Sequence, residues 1–170
     1  MPYDKTSNLW PKTSEQFFRD YTLHPVKQAG PHCVSTALAI LTGASPECFQ
    51  GPEKVNTQDP RTWSDALQAY DMKLAFCPSD VRKLKFYFDE LLEIDDLFTL
   101  SFFTPTDPCE VLADPDERGW VCNSHVVVLH RGTVLDPQTG IRSNLRDFTR
   151  GECHTKRIFR VVPASYDRGL

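Results

Sequence analysis

Four residues have side chains and spacings suited to acyl-transfer chemistry: Gln28, Cys33, His125 and Asp136. Cys33 follows Gly30 and Pro31, which break regular structure. It precedes Val34–Leu41, an almost wholly apolar run of good helix formers closed by Gly43. The pattern predicts a buried helix with Cys33 at or just before its first turn. Unpaired backbone N–H groups and the positive end of the helix dipole favour an anion there. A thiol so placed ionises more readily and becomes a better nucleophile.

His125 and Asp136 flank a predicted hairpin. His125-Val-Val-Val-Leu-His130 and Thr133-Val-Leu-Asp136 read as strands turning at Arg131-Gly132. With the turn centred there, Val127 faces Asp136 and His125 lies on the same face two residues along. That diagonal separates the backbones by about 7–8 Å, within reach of an aspartate and an imidazole. His130 falls on the opposite face. His125 would then take the thiol proton, and Asp136 would hold the ring in the useful tautomer. Gln28, five residues before Cys33, would aim its amide at the oxyanion beside the Cys33 backbone N–H.

Each residue also has a plainer role open to it. A cysteine ahead of an apolar helix commonly serves as a small buried hydrophobe. His125 suits a hydrogen-bonded strand position, Asp136-Pro137 a turn, and Gln28 an exposed loop. The coincidence of all four favours the catalytic reading. His32 and Ser124, adjacent to Cys33 and His125, are expected to line the cleft and contact substrate. His32 is a poor candidate for the base, because neighbouring side chains at a helix start diverge. His24 and His154 have no identifiable partner. Cys122-x-x-His125, Cys153-His154 and His32-Cys33 offer zinc ligands on paper, but without knuckle or finger spacing no metal is expected. Cys48, Cys77 and Cys109 read as free thiols. The acidic runs 89–96 and 114–117 read as solvated helix ends and loops, without calcium-loop spacing.

The order Gln…Cys-(apolar helix)…His-Val-Val-Val…Asp-Pro resembles papain-like cysteine peptidases. The closest likeness is to stand-alone relatives of the bacterial enzymes that cleave double-glycine leader peptides. That resemblance implies Gln28 as the oxyanion glutamine, Cys33 as nucleophile, His125 as general base and Asp136 as its orienting partner. Pro137 and Gly140 match the trailing turn. It covers residues 26–43 and 123–140, about a fifth of the chain. The family commonly has Gly-Pro straight after the cysteine, whereas here Val34-Ser35 follow and Gly30-Pro31 precede. The resemblance implies a papain-like fold, a protein or peptide substrate and no cofactor. Without the transporter domains that accompany leader peptidases, a leader peptide is not the implied substrate. The competing reading is an inactive papain-fold binding module that uses the cleft, or the 44–60 and 104–118 loops, to hold a partner.

The elements that must position these residues can be traced in order. Residues 1–12 read as an arm with Trp10 pinning it, and 13–170 as a single domain. Thr13/Ser14 with Glu15 and Gln16 signal a helix start ahead of Phe17, Phe18 and Tyr21. Thr62–Tyr70 reads as a helix and Met72–Phe76 as a strand. Ser79 or Asp80 would cap a second helix with Val81, Leu84, Phe88, Leu91 and Leu92 in one stripe. Leu97–Phe103, Trp120–Leu129, Thr133–Leu135 and Ile158–Val162 read as strands, and 104–118 as a polar insertion. Helices first and an antiparallel sheet last make the class α+β.

With 170 residues, 40% hydrophobic and 25% charged, the chain suits one ordinary globular domain. A net charge of −4 gives no case for binding nucleic acid or an anionic membrane. No apolar run is long enough to span a bilayer. The polar N-terminus lacks a signal-peptide core, so a cytoplasmic protein, or one delivered without a classical signal, is expected.

Overall fold

Strand β1 (Met72–Cys77), β2 (Leu97–Phe103), β3 (Ser124–His130), β4 (Thr133–Asp136), β5 (Ile141–Asn144) and β6 (Thr155–Pro163) form one antiparallel sheet. Their order is β1-β6-β2-β3-β4-β5, so the last strand lies between the first two. The structure is a computed structural model in which residues 10–11, 16–51, 53–104 and 124–169 are described. The expected α+β class holds. Among the described residues no helix is long and apolar enough to cross a membrane.

Alternation along the strands sorts side chains onto two buried faces. Leu97, Val126, Val128 and Phe159 join a cluster with helix α1 (Cys33–Thr42) and helix α2 (Pro60–Leu67). Phe98, Leu100, Phe102, Val127 and Leu129 join another with helix α3 (Phe88–Ile94) and Trp10. A sheet covered on both sides reads as near-continuous apolar runs, as 97–103 and 126–129 do. Helix α1 is buried from Val34 to Leu41, a stretch apolar but for Ser35 and Thr36. Gly43, at φ +77°, closes it with an N–H bond to the Ala39 carbonyl. The β3–β4 turn has Arg131 at φ +53° and Gly132 at φ +77°, the left-handed pair that a two-residue hairpin requires.

Several expectations need correction. The helix expected from Ser79 or Asp80 starts only at Leu84, as a 3₁₀ turn (Leu84–Tyr87) leading into α3. Residues 82–84 are instead bonded to 153–155: Thr155 N–H to Arg82 O, and Leu84 N–H to Cys153 O. Val81 is therefore exposed and outside the stripe. Residues 16–21 form bends and a turn rather than a helix. Two of their N–H groups go to a side chain: Phe17 and Phe18 donate to the two oxygens of Asp96, each at 2.9 Å.

Asp96 also overturns the solvated reading of the 89–96 run. It is fully buried against Arg160, Nη2 to Oδ2 at 2.7 Å, and Glu90 is buried as well. Arg160 also donates to the Pro11 carbonyl, and Trp10, 1% exposed, donates to the Pro78 carbonyl at 2.8 Å. Strand β5 was not anticipated. The expected strand start at Trp120, most of the 104–118 insertion and residues 1–9 lie outside the described residues.

Candidate active site

Cys33 is the first residue of α1 and is half-buried. Its N-cap, His32, makes no side-chain cap bond, so the first-turn N–H groups are not taken up there. Helix α1 packs on β3, and His125 and the backbone N–H of Val126 on that strand both favour the Cys33 thiolate. The ladder between β4 and β3 covers only Val128–His130. Ahead of it, the β4 side of β3 carries no strand pairing, and the chain runs on from Asp136 into a turn.

His125 is 8% exposed, and its Nε2 lies 2.7 Å from Asp136 Oδ1. That leaves Nδ1 as the ring nitrogen available to the thiol. Phe102, the cross-strand partner of His125, packs edge-on against the ring at 5.7 Å and 75°. Asp136 Oδ1 also accepts the Gln138 N–H at 2.8 Å, and the Asp136 carbonyl accepts the Gly140 N–H at 2.8 Å. The carboxylate is thus fixed by its own turn before it meets the imidazole.

Gln28 joins the two halves of the site. Its backbone N–H donates to the Pro137 carbonyl at 2.7 Å. Its Nε2 donates to Gly30 O at 2.9 Å, and its Oε1 is buried with no hydrogen-bond partner. The amide thus sits in the loop leading into Cys33. Gly140 allows the approach of that loop: a Cβ there would fall 2.7 Å from Lys27 Cβ and 3.2 Å from Lys27 Cα, at φ +70°.

The remaining histidines and thiols are placed apart from this line. His32 is exposed. Ser124 Oγ accepts from Lys156 Nζ at 3.2 Å. His130 Nε2 bonds to the Phe18 carbonyl at 2.9 Å. His154, expected to lack a partner, bonds through Nδ1 to the Val81 carbonyl at 2.8 Å. Cys33, Cys48, Cys77 and Cys153 are free thiols, and Cys109 and Cys122 lie outside the described residues. Among the described residues no three His, Cys, Asp or Glu side chains gather as a metal site.

Burial works against charge throughout the site, and the partners overcome it. For Cys33, burial raises the pKa. The His125 hydrogen bond and charge, with the Val126 and Val34 N–H groups, outweigh this and leave the thiol below its ordinary 9.0. For His125, burial disfavours the cation, but Asp136 and Cys33 raise the ring to about 9. Asp136 stays below its ordinary 3.8 despite burial, held there by His125 and then by the Gln138 N–H. All three shifts run in the direction that favours a thiolate–imidazolium pair braced by a carboxylate. Cys77 is the opposite case, since full burial drives its pKa far up and leaves it inert.

Two cavities, of about 370 and 320 Å³, share Tyr21–Leu23 as a wall and lie against the β3–β4 hairpin and the C-terminal end of α1. Neither is lined by Cys33, His125 or Asp136. Cys33, half-buried, directly follows the exposed residues Gly30, Pro31 and His32. No protein family, curated protein or solved structure matches the chain.

Proposed function

We propose that the protein is a papain-like cysteine-dependent hydrolase or acyl transferase, acting first as a peptidase. The observation that carries this reading is the interaction line Cys33–His125–Asp136, with pKa directions that favour the ion pair. The Cys33 thiolate attacks an amide carbon, and the charge that develops on its oxygen is met by the Cys33 N–H and the Gln28 amide. Each such donor contributes about 3–4 kcal/mol. The tetrahedral intermediate collapses as His125 gives its proton to the leaving amine, and a thioester forms. His125, now neutral, takes a proton from water, whose oxygen attacks the thioester and releases the acid and the thiolate.

The exposed rim beside Cys33 suits a protein or peptide substrate, with His32 and Ser124 at its edges. Deamidation and transglutamination use the same apparatus with a different acyl donor or acceptor.

Alkylation by iodoacetamide near neutral pH tests the reading. Cys33 is expected to react at least about tenfold faster than Cys48, although Cys48 is the more exposed thiol. His125→Ala removes the advantage. Slow, equal labelling of every thiol in the wild-type chain would instead support a binding module.

A further inference from the structure

On the face of the sheet that carries α1 and α2, three paired residues run in a row away from the nucleophile. They are Val126 on β3, Ser101 on β2 and Arg157 on β6. Val126 supplies a backbone N–H that favours the Cys33 thiolate. Ser101, beside it, is 4% exposed, and its Oγ has no hydrogen-bond partner. Arg157 comes next. It is half-buried, its guanidinium lies 5.8 Å from the centroid of the Trp63 ring, and its Nε is buried without a hydrogen-bond partner.

Buried polar groups are normally satisfied, and two adjacent ones left open call for an explanation. The other β6 arginine shows the contrast: Arg160, on the opposite face, is paired with Asp96 and a backbone carbonyl. The carboxylate that acts on Arg157 is Asp59, and it acts through charge alone. Its side chain caps α2 by accepting the Arg61 N–H at 3.1 Å. The Arg157 Nε and the Ser101 hydroxyl present donors for which the described residues supply no acceptor. A carboxylate fits, because its two oxygens can take the guanidinium edge and the serine hydroxyl together. Strands lie about 4.8 Å apart, so the Arg157 backbone is about 10 Å from β3, roughly three residues of extended peptide.

We propose that Arg157 and Ser101 form a subsite for an acidic side chain of the substrate, Asp or Glu, within about three residues of the bond that Cys33 attacks. The subsite rests on the thiol-enzyme reading and adds a substrate class to it.

The test uses peptides with a central epoxide electrophile and three residues on each side. All residues are alanine except one position, which holds Asp or the isosteric Asn. At one position the Asp probe is expected to label Cys33 about tenfold faster than its Asn twin. That ratio falls to about one in Arg157→Gln and by two- to threefold, roughly, in Ser101→Ala. Arg157→Lys, which keeps the charge but loses the planar fork, is expected to retain about a threefold ratio and guards against a misfolded glutamine variant. Labelling by the Asn probe shows that each variant still presents its site. Asp-to-Asn ratios near one at every position, with iodoacetamide still singling out Cys33, would overturn the subsite alone. So would an undiminished ratio in Arg157→Gln. Loss of the iodoacetamide preference in the wild-type chain would overturn both proposals.

Discussion

A histidine that keeps its proton to about pH 9 beside a thiol held below its ordinary range makes two pH-dependent statements. The first concerns reactivity. Alkylation of Cys33 should rise less steeply between about pH 6 and 8 than that of an ordinary thiol, which gains about tenfold per unit. Turnover should fall above about 9 as the imidazolium that protonates the leaving amine is lost. Asp136→Asn should steepen the alkylation profile toward that of a plain cysteine. An alkylation profile of the wild-type Cys33 as steep as that of a free cysteine in solution would refute the ion pair. The second concerns stability. His125 gains its pKa on folding, so its contribution is complete below 6.5 and fades as pH rises through about 9. Asp136 has a lowered value, so its contribution is present above 3.8 and fades as acid protonates the native carboxylate. Urea titrations across pH, with and without Asp136→Asn, read both limbs.

At this scale the His125–Asp136 link was legible because it is local, spanning a two-residue hairpin. Cys33 was legible as a helix start, but the approach of Cys33 to His125, distant in sequence, followed only from the resemblance. Arg157 and Ser101 were not legible, because only the strand order β6-β2-β3 places them in a row with Val126.

At the scale of elements, the approach of residues 27–28 to the 137–140 turn joins the nucleophile loop to the aspartate turn. Gly140→Ala places a methyl against Lys27 at a positive φ, and is expected to destabilise by about 1–3 kcal/mol. Because Gln28 rides on the same contact, turnover should fall further than iodoacetamide reactivity does. Equal losses in the two assays would detach Gln28 from the oxyanion. Strands 97–103 and 133–135 could be read from apolar runs and turn residues. Strand β5 could not, because Ile141-Arg-Ser-Asn144 is short and largely exposed. The misplaced start of α3 has a tertiary cause: the pairing of 82–84 with 153–155 overrode a capping signal that looked sound locally.

Across the whole molecule, the fully buried Asp96–Arg160 pair ties the N-terminal segment to the middle of the sheet. Arg160→Met leaves a lone buried carboxylate and should cost about 3–5 kcal/mol, near 10 °C in Tm for a chain of this size. Asp96→Asn combined with Arg160→Met should recover part of that loss, since an amide oxygen still accepts an N–H and no charge is stranded. Thermal melts of the single and double variants decide the matter, and a double variant no better than the single would contradict it. The acidic run around Asp96 looked solvated because its cation lies 64 positions away in sequence.

The placement of β6 has a consequence during synthesis. Residues 155–163 wedge between β1 and β2, so a ribosome must have translated nearly all of this segment before the sheet can be completed. Until then β1 has no neighbour, and the thiol lacks its finished scaffold. Ribosome-stalled chains ending at residue 150 should therefore show no preferential labelling of Cys33, whereas chains extended far enough for residue 163 to clear the exit tunnel should. The nucleophile would then be armed only once residues 155–163 have left the exit tunnel.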